Sequence, residues 1–355
     1  MRLLILTDHG GHTAHNSLYA LARALHADAR VREIRVASRA TPANADFFAC
    51  RAGAAAVLQA LTVGSDFGFR SADAGFSDSE TLRHTPAAWC DAVFLRLPHP
   101  VPDGWFGHLR KTFGRRPIVN APEGIAVTTS KAWLLNVPEL CAPMRLCERP
   151  RDVVAFVRDP NERAEPRDAV LKPLRGYGGQ GILRVRDGRV EVGEERVALG
   201  DWPDHPAARR AYLAVEYTPF VREGDKRIVV VDGEVLGAVL RVPAPGAWLC
   251  NVSQGGHAEP STLTPAEERI VATLDGRMRR LGVVMYGIDT LVGRDRRRVL
   301  SEVNTMSIGG LNDLPAAGAR GTPAAERAAR LLIGKLVAGS VAGATASPTP
   351  RGYAS

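Results

Sequence analysis

Near the C-terminal end of the chain, Asp289 sits in the apolar run YGIDTLV, and Glu302 and Asn304 close the run LSEVN. On a β-strand, residues i and i+2 face the same side, so Glu302 and Asn304 point together. A Gly-Arg-Asp-Arg turn separates the two runs, and pairing across it brings Asp289 to the same face. Two carboxylates and an amide oxygen are hard donors that suit Mg²⁺ bridged to phosphates, with Mn²⁺ as a substitute. Carboxylates that converge without a counter-ion repel, and a divalent cation would resolve this. The competing reading is a solvated sheet face with scattered acids. It is weakened because each acid is embedded among apolar and β-branched residues.

A second constellation is AVLKPLRGYGGQGILR, residues 169–184. Gly176, Gly178 and Gly181 satisfy G-x-G-x-x-G, with Gly179 as a further glycine, and Lys172 stands four residues ahead. A dinucleotide-binding turn needs a helix to open at the last glycine. Here Ile-Leu-Arg-Val-Arg-Asp-Gly follows, which alternates as a strand and ends in a turn. Strand, glycine loop, strand is a hairpin with a flexible, backbone-rich tip that can donate N–H groups to phosphate oxygens. Lys172 would add a point charge toward those phosphates. A plain glycine turn is the simpler reading, but it needs fewer glycines and leaves the lysine without a reason.

Between these motifs, Glu216, Tyr217 and Thr218 end one apolar run, and Asp225, Lys226 and Arg227 begin another. A strand end with free backbone groups and an acid could hold adenine and ribose. Arg227 could reach a transferred phosphate or a substrate carboxylate.

The elements that must carry these residues follow from the pattern. RLLILT, a helical stretch from Ser17 to His26 and VREIRVAS predict a β-α-β start. A helical piece is expected near Ala54–Leu61, strands at DAVFLRL and PIVN, and a short helix over Ser130–Leu135. Alternating strands and helices imply a parallel sheet covered on both faces. Farther on, KRIVVVDG and EVLGAVLRV predict a hairpin at Asp232-Gly233. Thr264, Pro265 and Glu267 form a capping box for a helix that Gly282 stops. A terminal helix is expected over Thr322–Ala338, followed by a disordered tail.

Composition narrows the partners. The chain has a net charge of +8, but only five lysines (Lys111, Lys131, Lys172, Lys226, Lys335) against 41 arginines spread along its length. That spread argues against a nucleic-acid surface and marks each lysine for inspection. No apolar run is long enough for a membrane span. The first run is too short for a signal-peptide core, so a cytoplasmic protein is expected. The five cysteines have no metal-ligand spacing and are expected to be reduced. His9, His12 and His15 follow the first strand; a metal site there competes with a polar crevice loop that touches substrate.

In order and spacing, IVNAPEGIAVTTSKAWL, VLKPLRGYGGQGILRV, VEYTPF, EGDKRIVVVDGEVLGAVLRVP, GGHAEPSTLT, YGIDTL and SEVNTMS resemble the ATP-grasp superfamily, most closely bacterial glutathione synthetase. The resemblance implies an α/β (α+β) fold: a Rossmann-like domain over 1–125, a central lobe over 126–212, a C-terminal lobe over 213–340 and a tail over 341–355. By it, Lys131 and Lys172 contact ATP phosphates under the Gly176–Gly181 loop. Glu216, Tyr217 and Thr218 line the adenine pocket, Asp225 holds ribose, and Asp289, Glu302 and Asn304 bind Mg²⁺. Arg227, Arg241, Asn251, Gly255 and Gly256 fall in the acceptor region. The implied reaction activates a carboxylate as an acyl phosphate for attack by an amine, with Lys172 and Arg227 the catalytic candidates, small-molecule acid and amine substrates, and a homo-oligomeric enzyme.

Arg175, Tyr177, Leu249, His257 and the segment TMSIGGLNDL depart from the glutathione enzymes' pattern, all on the lid or acceptor side. Glycine addition to γ-glutamylcysteine therefore stands beside ligation in peptide natural-product assembly or at a protein terminus. A non-catalytic ATP-binding module is the alternative of another class.

Overall fold

The computed structural model describes residues 1–70, 82–158, 166–176, 179–244, 256–318 and 321–345. Cys250, Tyr177, Gly178, Leu249, Asn251 and Gly255 lie outside that set.

The chain begins with β1 (Arg2–Thr7), an unbroken apolar run that is buried along almost its whole length. It pairs in parallel with β2 (Glu33–Ser38) on one side and β5 (Ala92–Arg96) on the other. β6 (Ile118–Val119) extends that parallel set. Between β1 and β2, α1 (Leu18–His26) buries Leu18, Leu21, Ala22 and Leu25, the i, i+3, i+4, i+7 stripe of a helix lying on a sheet. α3 (Trp105–Phe113) joins β5 to β6 and covers the opposite face with Trp105, Leu109 and Phe113.

Two departures from the sequence expectation occur at the far edge of this sheet. The stretch expected to be helical near 54–61 is instead β3 (Val57–Thr62), antiparallel to β2 and to β4 (Leu82–Pro86). The sheet is thus mixed, in the order β4-β3-β2-β1-β5-β6. Its alanines and leucines suit a helix in isolation. In context Leu58 and Ala60 gain full burial as strand residues, and tertiary burial outweighs a weak helix propensity.

α4 (Pro122–Thr128) and a 3-10 turn over Lys131–Asn136 lead into the central sheet. It is wholly antiparallel, in the order β11-β10-β9-β8-β12-β7. Its strands are β7 (Met144–Cys147), β8 (Ala169–Pro173), β9 (Leu183–Arg186), β10 (Arg189–Val192), β11 (Glu195–Ala198) and β12 (Tyr212–Glu216). The glycine loop joins β8 to β9 as a hairpin, as the β-alternation after Gly181 predicts. α5 (Pro150–Val157) and Trp202 cover one face.

The C-terminal sheet runs β15-β14-β13-β16-β17, again antiparallel. β13 (Asp225–Val231) and β14 (Glu234–Val242) meet at Asp232 and Gly233, with φ of 47° and 84°. Positive φ at both turn residues matches the right-handed twist of a two-residue hairpin. β15 (His257–Ser261) is the exposed edge. α6 (Pro265–Arg280) starts at the expected capping box, in which Thr264 and Glu267 exchange hydrogen bonds. β16 (Met285–Val292) and β17 (Arg298–Asn304) complete the sheet. α7 (Ala324–Thr345) then packs between the first and last sheets, contributing Ala328, Leu332, Ile333 and Leu336 to a core that also holds Leu3, Leu21 and Val229. It runs past Gly339, where a disordered tail was expected; the sequence there is rich in alanine, a strong helix former.

Candidate active site

The central and C-terminal sheets flank an open cleft. Val170 and Lys172 of β8, with Val215 and Glu216 of β12, line one wall. Leu291 of β16 and Val299 and Leu300 of β17 form an apolar patch opposite. Lys172 is 9% exposed and crosses to the other sheet, donating to Ser301 O at 3.0 Å and Ser301 Oγ at 2.9 Å. That carbonyl is free because β17 bulges. Asp289 pairs with Glu302 but Thr290 pairs with Leu300, so Ser301 has no partner across the ladder. Burial lowers the lysine's pKa, while the charges of Glu302 and Asp289 oppose the shift.

Four charged side chains from β13, β14 and β16 interlock on the cleft side. Asp225 stands opposite Arg241 and Arg227 opposite Asp289 in the register. Arg241 grips Asp225 with Nε and Nη2, both at 2.7 Å, and reaches Asp289 Oδ1 at 2.9 Å. Arg227 grips Asp289 with Nε at 2.5 Å and Nη2 at 2.9 Å. Asn304 Nδ2 donates to Asp289 Oδ2 at 3.3 Å. Burial alone would raise the Asp289 carboxyl, but Arg227 and Arg241 overcome it and hold the group well below the ordinary carboxylate range. Asp225 moves the other way, pushed up to about 6 by burial and by the charge of Asp289.

Behind these strands the alternation puts Lys226 and Thr290 on the opposite face. There both bond the fully buried Glu267 of α6, at 2.8 and 2.6 Å. The same Glu267 that caps the helix therefore ties it to the strands bearing Arg227 and Asp289.

A second cleft opens beside the first and shares Arg227, Arg241, Glu302 and Asn304 with it. Its other walls are Pro98 and His99 from the loop after β5, Lys131, and Met306 and Ser307 after β17. Lys131 Nζ bonds Glu302 Oε1 and the carbonyl of Gly176, each at 3.0 Å. It thus links the metal-type carboxylate to the base of the glycine loop.

The first cleft gathers Lys172, Gly179, Glu216, Tyr217, Thr218 and Asp225, together with the four shared residues and Asp289. Lys131 and Gly176 line the second. Glu216 is paired with Arg294 Nε at 2.6 Å, the Arg184 guanidinium lies 4.4 Å from the Tyr217 ring centre, and Thr218 Oγ1 donates to Val292 O. Gly181 is packed against Pro173 and Arg210 rather than lining either cleft. Gly256 precedes the edge strand β15 and is not a lining residue of either cleft. Gly178, Asn251 and Gly255 lie outside the described residues. In this structure protein cations stand against these carboxylates: Arg227 and Arg241 on Asp289, and Lys131 on Glu302.

The histidines after β1 do not converge. His12 uses Nε2 on Thr7 Oγ1 and Nδ1 on Tyr19, and His9 Nδ1 meets Ser38 Oγ. No cluster of three or more His, Cys, Asp or Glu side chains fit to hold a metal occurs among the described residues. Four cysteines are free thiols, and no described helix is long and apolar enough to cross a membrane. Sequence reasoning missed His99, Ser301 and Asn120. Asn120 is buried and bonds Val284 N, Met285 N, Met285 O and Thr305 O at 2.6–2.8 Å. Its only signal was its place at the end of a short apolar run.

Known proteins share both the fold and the sequence. D-cycloserine synthetase superposes over 95% of this chain and all of its own, with a TM-score of 0.60 at 14% identity. D-alanyl-alanine synthetase A from Vibrio cholerae gives 0.58 at 13% identity, over 96% of this chain and 99% of its own. The glutathione synthetase of Prochlorococcus marinus (strain MIT 9313) is 32% identical over 256 residues, 71% of this chain and 77% of that protein. The family model described as "Prokaryotic glutathione synthetase, ATP-grasp domain" matches residues 130–318. Two antiparallel sheets gripping a charged cleft behind an α/β sheet, with these relatives, define an ATP-grasp enzyme, a ligase that forms C–N bonds at the expense of ATP. Within that class the chain belongs to the prokaryotic glutathione synthetase family.

Proposed function

We propose that the enzyme joins an amino acid amine to the carboxylate of a small peptide-like acid, with γ-glutamylcysteine and glycine as the first pair to test. The reading is carried by one observation: the nucleotide-type cleft and the second cleft share Arg227, Arg241, Glu302 and Asn304, so two bound molecules meet at those four side chains. In this reading adenine lies against the apolar patch near Glu216, Tyr217 and Thr218, and the ribose lies near Asp225. Lys172 and Lys131 direct their charge at the phosphates, and the Gly176–Gly181 loop covers them. Arg227 and Arg241 hold the acid's carboxylate and neutralise charge that develops on the transferred phosphoryl group. Most of the rate gain comes from positioning two reactants at one point. The lobes follow as 1–125, 126–212 and 213–340, in a homo-oligomer.

Asp289, Glu302 and Asn304 offer oxygen donors from adjacent strands, a set that fits Mg²⁺. When bound, the ion would supply charge neutralisation at the phosphates. Its arrival would release Arg227 and Arg241 from Asp289 for anionic ligands.

The test is coupled ADP release across a panel of acids and amines that includes γ-glutamylcysteine and glycine. ADP formation that requires both partners is expected. No ADP from any pairing would sink the proposal.

A further inference from the structure

The second cleft is crowded with cations: Lys131, Arg227 and Arg241 line it. An incoming amino acid brings another positive charge, its ammonium, which must lose a proton before the nitrogen can attack. Hydrogen-bond acceptors on the wall are mostly engaged. Glu302 is held by Lys131, Thr128 Oγ1 meets Thr305 Oγ1 at 2.7 Å, and Ser130 Oγ accepts from Ala132 N. His99 is different: its ring has no hydrogen-bond partner among the described residues. The loop that carries it is fixed, because Arg39 donates to Pro100 O at 2.5 Å while gripping Asp8 at 2.8 Å.

We propose that His99 is the proton acceptor for the attacking amine. The free lone pair of the imidazole takes one proton from the ammonium and later returns it to solvent. The freed nitrogen lone pair then forms the C–N bond at the acyl phosphate carbon, the C–O bond to phosphate breaks with its electrons leaving on the phosphate, and the second N–H proton departs with that phosphate. This rests on the ligase reading above and adds a residue to it. Burial first, then the charges of Lys131, Arg175 and Arg39, lower the pKa of His99, so the ring is neutral and its lone pair available at neutral pH. The same charges help strip the proton from an ammonium brought beside them.

The experiment uses full-length His99→Gln and His99→Ala with ATP, Mg²⁺ and γ-glutamylcysteine. Glycine is one nucleophile; hydroxylamine, largely unprotonated at neutral pH, is the other. Calorimetry with ADP and thermal melting establish that the variants fold and bind nucleotide. Glycine-dependent kcat should fall about 100-fold in His99→Gln, while the hydroxylamine rate stays within about threefold of wild type. In the wild type, glycine-dependent kcat/KM should decline as pH falls through the imidazole pKa, below the ordinary 6.5, and that limb should vanish in the variants. Equal losses with both nucleophiles, or a glycine rate within about threefold of wild type, would overturn the role of His99 alone. A wild type inactive with both nucleophiles would overturn the functional reading and this inference with it.

Discussion

Asp289 is the most heavily bonded acid in the clefts, and its chemistry depends on what replaces its two guanidinium partners. Asp289→Asn leaves Arg227 without its carboxylate, and losing one partner of a buried pair costs about 3 kcal/mol or more. Urea unfolding near neutral pH should read that loss. The folded pKa of Asp289 is depressed, so its contribution is full above the unfolded value of 3.8 and lost as pH falls below it. The gap between wild type and Asp289→Asn should therefore narrow as unfolding is repeated at falling pH; a constant gap would refute the pairing. Glu302→Gln is a different case, because Glu302 is partly exposed and bonded to a single lysine. It should leave the fold intact while removing ADP formation. Asp289, Glu302, Lys172 and Arg227 were legible as candidates in the sequence, because charged groups inside apolar strands need a reason, and Asn304 through its i+2 spacing from Glu302. Their partners were not. The link of Asp225 to Arg241 and of Arg227 to Asp289 is set by register across three strands, which local patterns do not encode.

At the level of elements, what local chemistry dictates was readable and what neighbours dictate was not. The Asp232-Gly233 hairpin and the α6 capping box each lie within a few residues and appear as expected. The strand at 57–62 was hidden, because its identity comes from lying between β2 and β4. The bulge that frees Ser301 O for Lys172 was equally hidden, since it is a mismatch between two strands. The glycine loop sits between these cases. Its sequence announced a backbone-rich tip, and Gly176, Gly179 and Gly181 have φ of 141°, 77° and 68°. Gly181 is also close-packed: a Cβ there would stand 3.3 Å from Pro173 Cγ. Gly181→Ala should cost about 1–2 kcal/mol locally, because an L-residue resists the left-handed region. The loop's closed geometry would suffer more than the β8–β9 ladder. KM for ATP should rise several-fold with the melting temperature nearly unchanged; a fall in melting temperature without a change in KM would show the loop to be structural only.

Across the whole molecule, the second cleft works only if the loop after β5 and the segment after β17 keep their relative positions. α7 bridges the outer sheets through apolar contact, but contact of that kind is non-directional. Directional anchorage comes from Arg96, which donates to Ile308 O at 2.6 Å, and from Asn120, just after β6, whose amide group makes four bonds to Val284, Met285 and Thr305, the residue after β17. Thr305, one of those partners, lies between Asn304 and the wall residues Met306 and Ser307. Replacing Asn120 with alanine orphans two buried N–H groups and two carbonyls, at about 3 kcal/mol or more in total. Denaturant unfolding should show that loss. The nucleotide cleft, built between the central and C-terminal sheets, draws nothing from β6, so ADP affinity should stay close to wild type. Amine-dependent kcat should fall about tenfold or more, since reacting groups displaced by even an ångström lose alignment. ADP calorimetry beside turnover on the same preparation separates these outcomes. If nucleotide affinity and turnover decline in step, Asn120 supports overall stability rather than the alignment of the two clefts.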